Sequence, residues 1–300
     1  MRVGIFGFGK LGGALLELCN KSAEFSEVLL FSHRERNEEG RALGSARIYP
    51  TKILKEKSPS LDLLLLAHSS KGEILSERIA LQRRYTTVDA FDVHGVLEDR
   101  RCEIDATARQ NKTVGIVGIG WDPGVLSLAR SLCFGIFGED GCSTRWGVGV
   151  SEGHSSAIRA LQGVQKAIQY TVPTENGHRR VCYVVCEKSQ EMRIAHQIKS
   201  IPEYFLPYET EVHFISLDEF DRVHEGARYH RGSVFGNGDI AGEASLSLEV
   251  KMQSNPHFTA AIMLAYARAA RSLMDEKAFG AYGPLDIPLR LLVGGRRNLW

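Results

Sequence analysis

A short apolar run, RVGIF at residues 2–6, leads straight into GFGKLG, after which LGGALLELCN carries apolar residues at helical spacing. A strand that ends in glycines and reopens as a helix is the start of a βαβ unit, and it limits the possible folds more than any other stretch. Gly7, Gly9 and Gly12 form a GxGxxG. Alone, that pattern also occurs in structural turns; between a strand and a helix it reads as a phosphate cradle. Gly7 permits the turn and Gly9 lets the backbone approach a pyrophosphate. The helix start at Lys10 and Leu11 offers amide N–H groups and the positive end of the helix dipole.

The alternation continues. SEVLLFS, LDLLLLAHSS, TTVDAF and KTVGIVGIG are further apolar runs, with helical stretches around 71–82 and 94–110. Strands alternating with helices predict a parallel sheet covered on both faces, an α/β domain of Rossmann type. After about residue 124 the pattern changes: RWGVGVS, VQKAIQYTV, RVCYVVCE, ETEVHFIS and EASLSLEVKMQ are strand-like and often alternate polar with apolar. One covered face is expected there, in a second α+β domain. NPHFTAAIMLAYARAARSLMDE then reads as a helix with Asn255 as its cap and Pro256 at its first position. The predicted divisions are 1–122, 123–255 and 256–300, the last returning to the first domain. A chain of 300 residues, 43% hydrophobic, is long enough for two domains.

Composition narrows the partners. The 37 basic and 36 acidic residues nearly cancel and form no long basic run, which argues against nucleic acid. No apolar run approaches the roughly 20 residues of a membrane span, and the N-terminus lacks a secretory pattern, so a cytoplasmic protein is expected. The six cysteines include no CxxC and no zinc-like spacing with histidine, so they read as reduced thiols and no metal is expected. Cys182 and Cys186 share a strand face and read as packed core residues.

The end of the second strand bears on the choice of dinucleotide. NAD-selective sites usually place an acid about 20 residues beyond the glycines, whereas Ser32, His33 and Arg34 stand there. A hydroxyl and a guanidinium suit a 2′-phosphate that a carboxylate would repel, so NADP is expected. The alternative is that Arg34 and Arg36 are solvated loop charges. Ser69 and Ser70, at the end of AHSS, join the expected cofactor set.

Ligands of such sheets lie beyond the carboxyl ends of the strands. VDAFDVHG brings Asp89 and Asp92 there, and GIGWDPG brings Trp121 and Asp122. Asp89 and Asp122 also suit helix caps. Two carboxylates arriving from different strands can hold an ammonium and take up protons as an imine forms, which favours Asp92 and Asp122 as reacting groups. In the second domain SEGHSSAIR carries Glu152, His154 and Ser155, QYT carries Thr171, GHRR carries Arg180, and GARYHRG carries His230. Arg180 suits recognition of a carboxylate at the far end of a substrate; singly, each of these also suits a loop or strand surface. Glu152 either contacts an amine or faces water.

Taken in order, GFGKLG, FSHR, VDAFDVHG, GWDPG, SEGHSSAIR, GVQKAIQYT, HRR, PEYF, YETEV and NPHFTA resemble the meso-diaminopimelate D-dehydrogenases from residue 2 to about residue 285. The resemblance implies NADP-dependent oxidative deamination at the D-centre of meso-2,6-diaminopimelate, with a reverse reaction that feeds lysine and cell-wall precursor synthesis. It also implies a homodimer, with the second domain serving substrate binding and dimerisation. By matching motif, Asp92, Trp121 and Asp122 would surround the reacting centre, and Ser155, Thr171, Arg180, His230 and Asn255 would belong to the substrate-binding set. The VPTENGHR stretch is shorter than in some members, and GARYHRG is one residue longer and richer in Arg. Alternatives are an NADP-dependent enzyme acting on another amino or oxo acid, and a dinucleotide-binding regulator without catalysis.

Overall fold

The computed structural model describes residues 1–32, 41–43, 46–57, 59–68, 70, 75–174, 177–202, 204–227, 229–240 and 242–294. The chain opens with β1 (Arg2–Phe6), α1 (Lys10–Asn20), β2 (Glu27–Ser32), β3 (Arg41–Leu43), β4 (Ala46–Pro50) and α2 (Lys52–Glu56). It continues through β5 (Leu63–Leu66), α3 (Leu75–Gln82), β6 (Thr87–Asp89), α4 (Leu97–Asn111), β7 (Val114–Ile116) and α5 (Val125–Phe137). Next come β8 (Cys142–Trp146), β9 (Gly149–Val150), α6 (Glu152–Arg159), β10 (Val164–Thr174), β11 (Gly177–Cys186) and α7 (Glu191–Lys199). β12 (Thr210–Phe214), α8 (Leu217–Val223), β13 (His230–Asp239), β14 (Glu243–Met252), α9 (Asn255–Asp275) and β15 (Gly280–Tyr282) complete the strands and α-helices of the described residues.

Two compact units emerge: Met1–Ser127 with the segment that begins at Pro256, and Leu128–Asn255. The division falls within α5, five residues beyond the boundary read from the sequence, because the turn at 121–124 closes on Gly120 and stays with the first unit.

In the first unit, eight strands of the described residues form one sheet in the order β15-β7-β6-β5-β1-β2-β4-β3. All neighbours are parallel except β3 and β4. Helices cover both faces of such a sheet, so its strands read as unbroken apolar runs, as in LLLL of β5, at most 2% exposed. Each such leucine contributes about 1.5–3 kcal/mol of burial. The chain leaves β1 toward β2 and β4 on one side, then crosses to β5 on the other. The crevice at that reversal is where doubly wound sheets bind ligands.

α9 packs Ala260, Met263, Ala267 and Ala270 inward, fully buried. Its outer face is pinned by Arg268 to Glu24 at 2.8 Å, Arg271 to Asp62 at 3.1 Å and His257 to Glu17 at 3.0 Å. The helix starts at Asn255 itself, with Pro256 second. β15 then extends the sheet beside β7.

The second unit holds two sheets among its described residues, β12-β11-β10-β9 and β14-β13-β8. The long β10–β11 hairpin is the backbone of the first. Its covered face gathers Val150, Ile168, Tyr170, Val185 and Phe220.

Candidate active site

The cradle follows from its glycines. Gly7 has φ +108°, a left-handed value that disfavours a side chain. A Cβ on Gly12 would stand 2.0 Å from the Gly7 carbonyl oxygen, so α1 packs against the turn only because Gly12 has none. Gly9 differs: a Cβ there would meet nothing within 4 Å. It caps α1 without a side-chain hydrogen bond, and the first turn holds no acid. The arrangement fits a dinucleotide pyrophosphate: open space over Gly9, a helix N-terminus and no competing negative charge. Lys10 is exposed, Leu11 half-buried, and Ser32 buried at the end of β2. His33, Arg34 and Ser69 lie outside the described residues. The Ser70 hydroxyl accepts from the Asp92 N–H at 3.1 Å. Ser70, expected with the cofactor set, thus braces the loop that carries an expected reacting acid.

Asp92 and the Trp121–Asp122 pair follow β6 and β7 beyond their carboxyl ends. Trp121 is buried and Asp122 half-exposed. Gly120 N–H donates to Pro123 O at 2.9 Å and Leu126 N–H to Trp121 O at 2.9 Å, closing a compact turn with a cis Asp122–Pro123 peptide. A Cβ on Gly124, at φ +127°, would lie 1.9 Å from the Gly120 oxygen, so this turn also requires its glycine. Asp89, which also suited a helix cap, forms instead a buried ion pair with Arg78 at 3.2 Å.

The second unit gathers a polar cluster around a buried cation. Thr171 and Arg180 face each other in the β10–β11 register, and Arg180 Nη1 donates to Thr171 Oγ1 at 2.9 Å. Arg180 is 6% exposed, and its guanidinium carbon sits 4.3 Å from the Tyr208 ring centre. No acidic side chain of the described residues pairs with it, and its Nε is buried without a hydrogen-bond partner. Burial lowers the Arg180 pKa from its ordinary value.

His154 stacks near Tyr204 and Phe205 and donates from Nδ1 to Gln169 Oε1 at 3.0 Å. Burial first, then the charge of Arg180, hold His154 well below the ordinary histidine range. The same two causes lower His178 to about 4. His230 is buried, and its backbone leaves no room for a Cβ on Gly149, the β9 residue opposite Thr171. The unit therefore brings together Thr171, Arg180 and His230 with His154, which the SEGHSSAIR stretch already offered, and adds His178, Gln169 and Tyr208, which the sequence reading did not single out. Histidines kept neutral beside an uncompensated guanidinium make a site for an anion.

Two expectations change. Ser155 donates its proton to Ser151 O at 2.7 Å and accepts from Gln169 N–H at 2.9 Å, fully buried. It ties α6 to β10 and has no proton left for a ligand. Glu152 is held by Arg159 Nη2 at 2.5 Å, within its own helix.

A pyrophosphate cradle on a doubly wound sheet, acid-bearing loops at the same strand ends and a separate sheet unit define a two-unit dehydrogenase of the dinucleotide-binding class. Residues 120–255 match the diaminopimelic acid dehydrogenase C-terminal domain. The chain is 36% identical to meso-diaminopimelate D-dehydrogenase of Acetivibrio thermocellus, covering 96% of this chain and 92% of that one. It is 31% identical to the Corynebacterium glutamicum enzyme, over 97% and 95% of the two chains. Among solved structures, C. glutamicum DAP dehydrogenase in complex with DAP superposes with TM-score 0.88 at 31% identity, covering 100% of this chain and 97% of that one. An engineered D-amino acid dehydrogenase bound to NADP+ gives TM-score 0.90 at 29% identity, with the same coverage. The chain belongs to the meso-diaminopimelate D-dehydrogenase family.

Proposed function

We propose that the chain oxidises the D-centre of meso-2,6-diaminopimelate. Substrate, NADP+ and water give L-2-amino-6-oxopimelate, ammonium, NADPH and a proton. The observation that carries the substrate is Arg180: a buried guanidinium with no acidic partner among the described residues, set across a strand pair from a hydroxyl. Such a group is a preformed seat for a carboxylate remote from the reaction.

The first unit holds NADP through Gly7, Gly9, Lys10, Leu11 and Gly12, with Ser32 toward the ribose. Bound there, NADP supplies the hydride acceptor. Asp92 and Asp122 hold the D-ammonium and take up the proton it loses as its carbon is oxidised. Trp121 walls the reacting carbon from bulk water, and the same carboxylates orient the water that hydrolyses the iminium. In the second unit, Arg180 grips the distal carboxylate while Thr171 Oγ1, accepting from Arg180, keeps its own proton to donate to it. His230 and Asn255 complete the hold on the distal L-centre.

In this reading the enzyme is a cytoplasmic homodimer that binds neither nucleic acid nor membrane. Exposed Leu132, Phe134, Phe235 and Leu248 of the second unit support pairing of two copies. No helix of the described residues is long and apolar enough to cross a membrane. The test is NADPH formation with meso-diaminopimelate, matched by equimolar ammonia. Turnover with NADP well above that with NAD is expected; oxidation of other amino acids alone would overturn the substrate.

A further inference from the structure

The geometry points to Asp89, held by Arg78, as a positioning residue that sets the two acid-bearing loops in register with each other. Its carboxylate is divided between two tasks. Oδ2 accepts from Arg78 Nε and Nη2, both at 3.2 Å. Oδ1 accepts from Phe91 N–H at 3.1 Å and from Gly118 N–H at 2.9 Å. Phe91 immediately precedes Asp92, and Gly118 opens the turn that carries Trp121 and Asp122. The Asp89 carbonyl also accepts from Ile119 N–H at 2.9 Å. One residue therefore anchors both loops, and a shift of one moves the acceptor of the other.

The arrangement is stiff. Arg78 is 1% and Asp89 4% exposed. Arg78 Nη1 donates to Gln82 Oε1 at 2.9 Å; that oxygen also accepts from Thr87 Oγ1 at 2.7 Å, and Gln82 Nε2 donates to Thr113 Oγ1 at 2.8 Å. On the loop side, Phe91 packs with Val117, Ile104 and Ala281. A buried ion pair is a weak source of net stability, because desolvation offsets its attraction. Its use here is directional: Arg78 fixes one carboxylate oxygen so that the other faces the two loop amides.

The inference rests on the proposed roles of Asp92 and Asp122, and its test separates the two. Two neutral variants of the holoenzyme are compared. Arg78→Met/Asp89→Leu removes the charges and the loop acceptor while keeping the volume apolar, a replacement that buried ion pairs tolerate. Arg78→Gln/Asp89→Asn also removes both charges, but Gln accepts from the Asn amide and turns the Asn oxygen back to Phe91 and Gly118. With NADP bound, hydrogen exchange over segments 90–97 and 117–124 is expected to rise together in the apolar pair and return to the wild-type level in the amide pair. At unchanged NADP affinity, kcat with meso-diaminopimelate falls about 100-fold in the apolar pair, the size of effect a misplacement near 1 Å produces. The amide pair recovers most of it. Equal behaviour of the two pairs, or a loss of turnover matched by a loss of NADP binding, overturns the positioning role. A wild type inactive on meso-diaminopimelate would sink the substrate and leave the exchange comparison to judge the loops.

Discussion

Arg180 and Thr171 are direct cross-strand partners in the β10–β11 hairpin, joined by a 2.9 Å hydrogen bond from the guanidinium to the hydroxyl. The bond aims a buried cation without satisfying its charge. This costs the folded state and favours an incoming carboxylate, a trade common where a site is built ahead of its ligand.

Arg180→Leu should therefore separate stability from activity. Losing a charge-assisted contact of about 1.5–3 kcal/mol lowers kcat/KM roughly 10- to 100-fold. The melting temperature should hold or rise, because a buried charge that no acid of the described residues compensates is gone. Thermal unfolding and steady-state kinetics on one preparation check both.

The cradle glycines should divide in the same way. Gly12→Ala forces a Cβ to 2.0 Å from a backbone oxygen and should destabilise by more than about 2 kcal/mol. Gly9→Ala enters open space, so the melting temperature should move little while the Kd for NADPH rises. Thermal shift and NADPH fluorescence titration distinguish the two.

Asp122→Asn keeps the shape of the turn and removes a proton acceptor. Turnover should fall much further than NADP affinity. Equal losses in a paired kinetic and binding measurement would remove Asp122 from its assigned role.

The pocket histidines set an acid limit. His178 is lowered to about 4 by burial and then by Arg180. Above its unfolded value of about 6.5 both states are neutral and it contributes no pH dependence. As pH falls below that, the unfolded chain takes up a proton that the folded one refuses, so stability drops until about pH 4. His154 is shifted the same way. Unfolding at a series of pH values should show this loss, and His178→Gln should reduce it.

The glycine turn was legible because its residues are adjacent in sequence: a GxGxxG between strand and helix announces the turn that the structure forms. The long apolar runs of β5 and the alternation in β10, β11 and β14 were legible for the same reason. β13 was not. HRGSVFGNGD holds Gly232, Gly236 and Gly238, and glycine inside a strand weakens the strand signal. The structure requires Gly236, since a Cβ there would lie 2.5 Å from Phe137 of α5. α5 itself gathers its polar residues, Ser127, Arg130 and Ser131, on one face at i, i+3 and i+4, too few in thirteen residues to stand out from the apolar run around them. The Arg78–Asp89 pair and the neutral histidines around Arg180 join residues from different elements by tertiary contact, and no local spacing announces them. Ser155 stands in a stretch that resembles the family, yet its hydroxyl serves the backbone, which only its partners reveal.

The proposed substrate depends on Arg180 of the second unit receiving the distal carboxylate. D-Lysine is meso-diaminopimelate without that carboxylate, so the most direct measurement is the ratio of kcat/KM for the two substrates in wild type and in Arg180→Leu. A strong wild-type preference for meso-diaminopimelate is expected that collapses in the variant, with D-lysine turnover little changed. A wild type that oxidises D-lysine equally well, or a variant that keeps the preference, would contradict it.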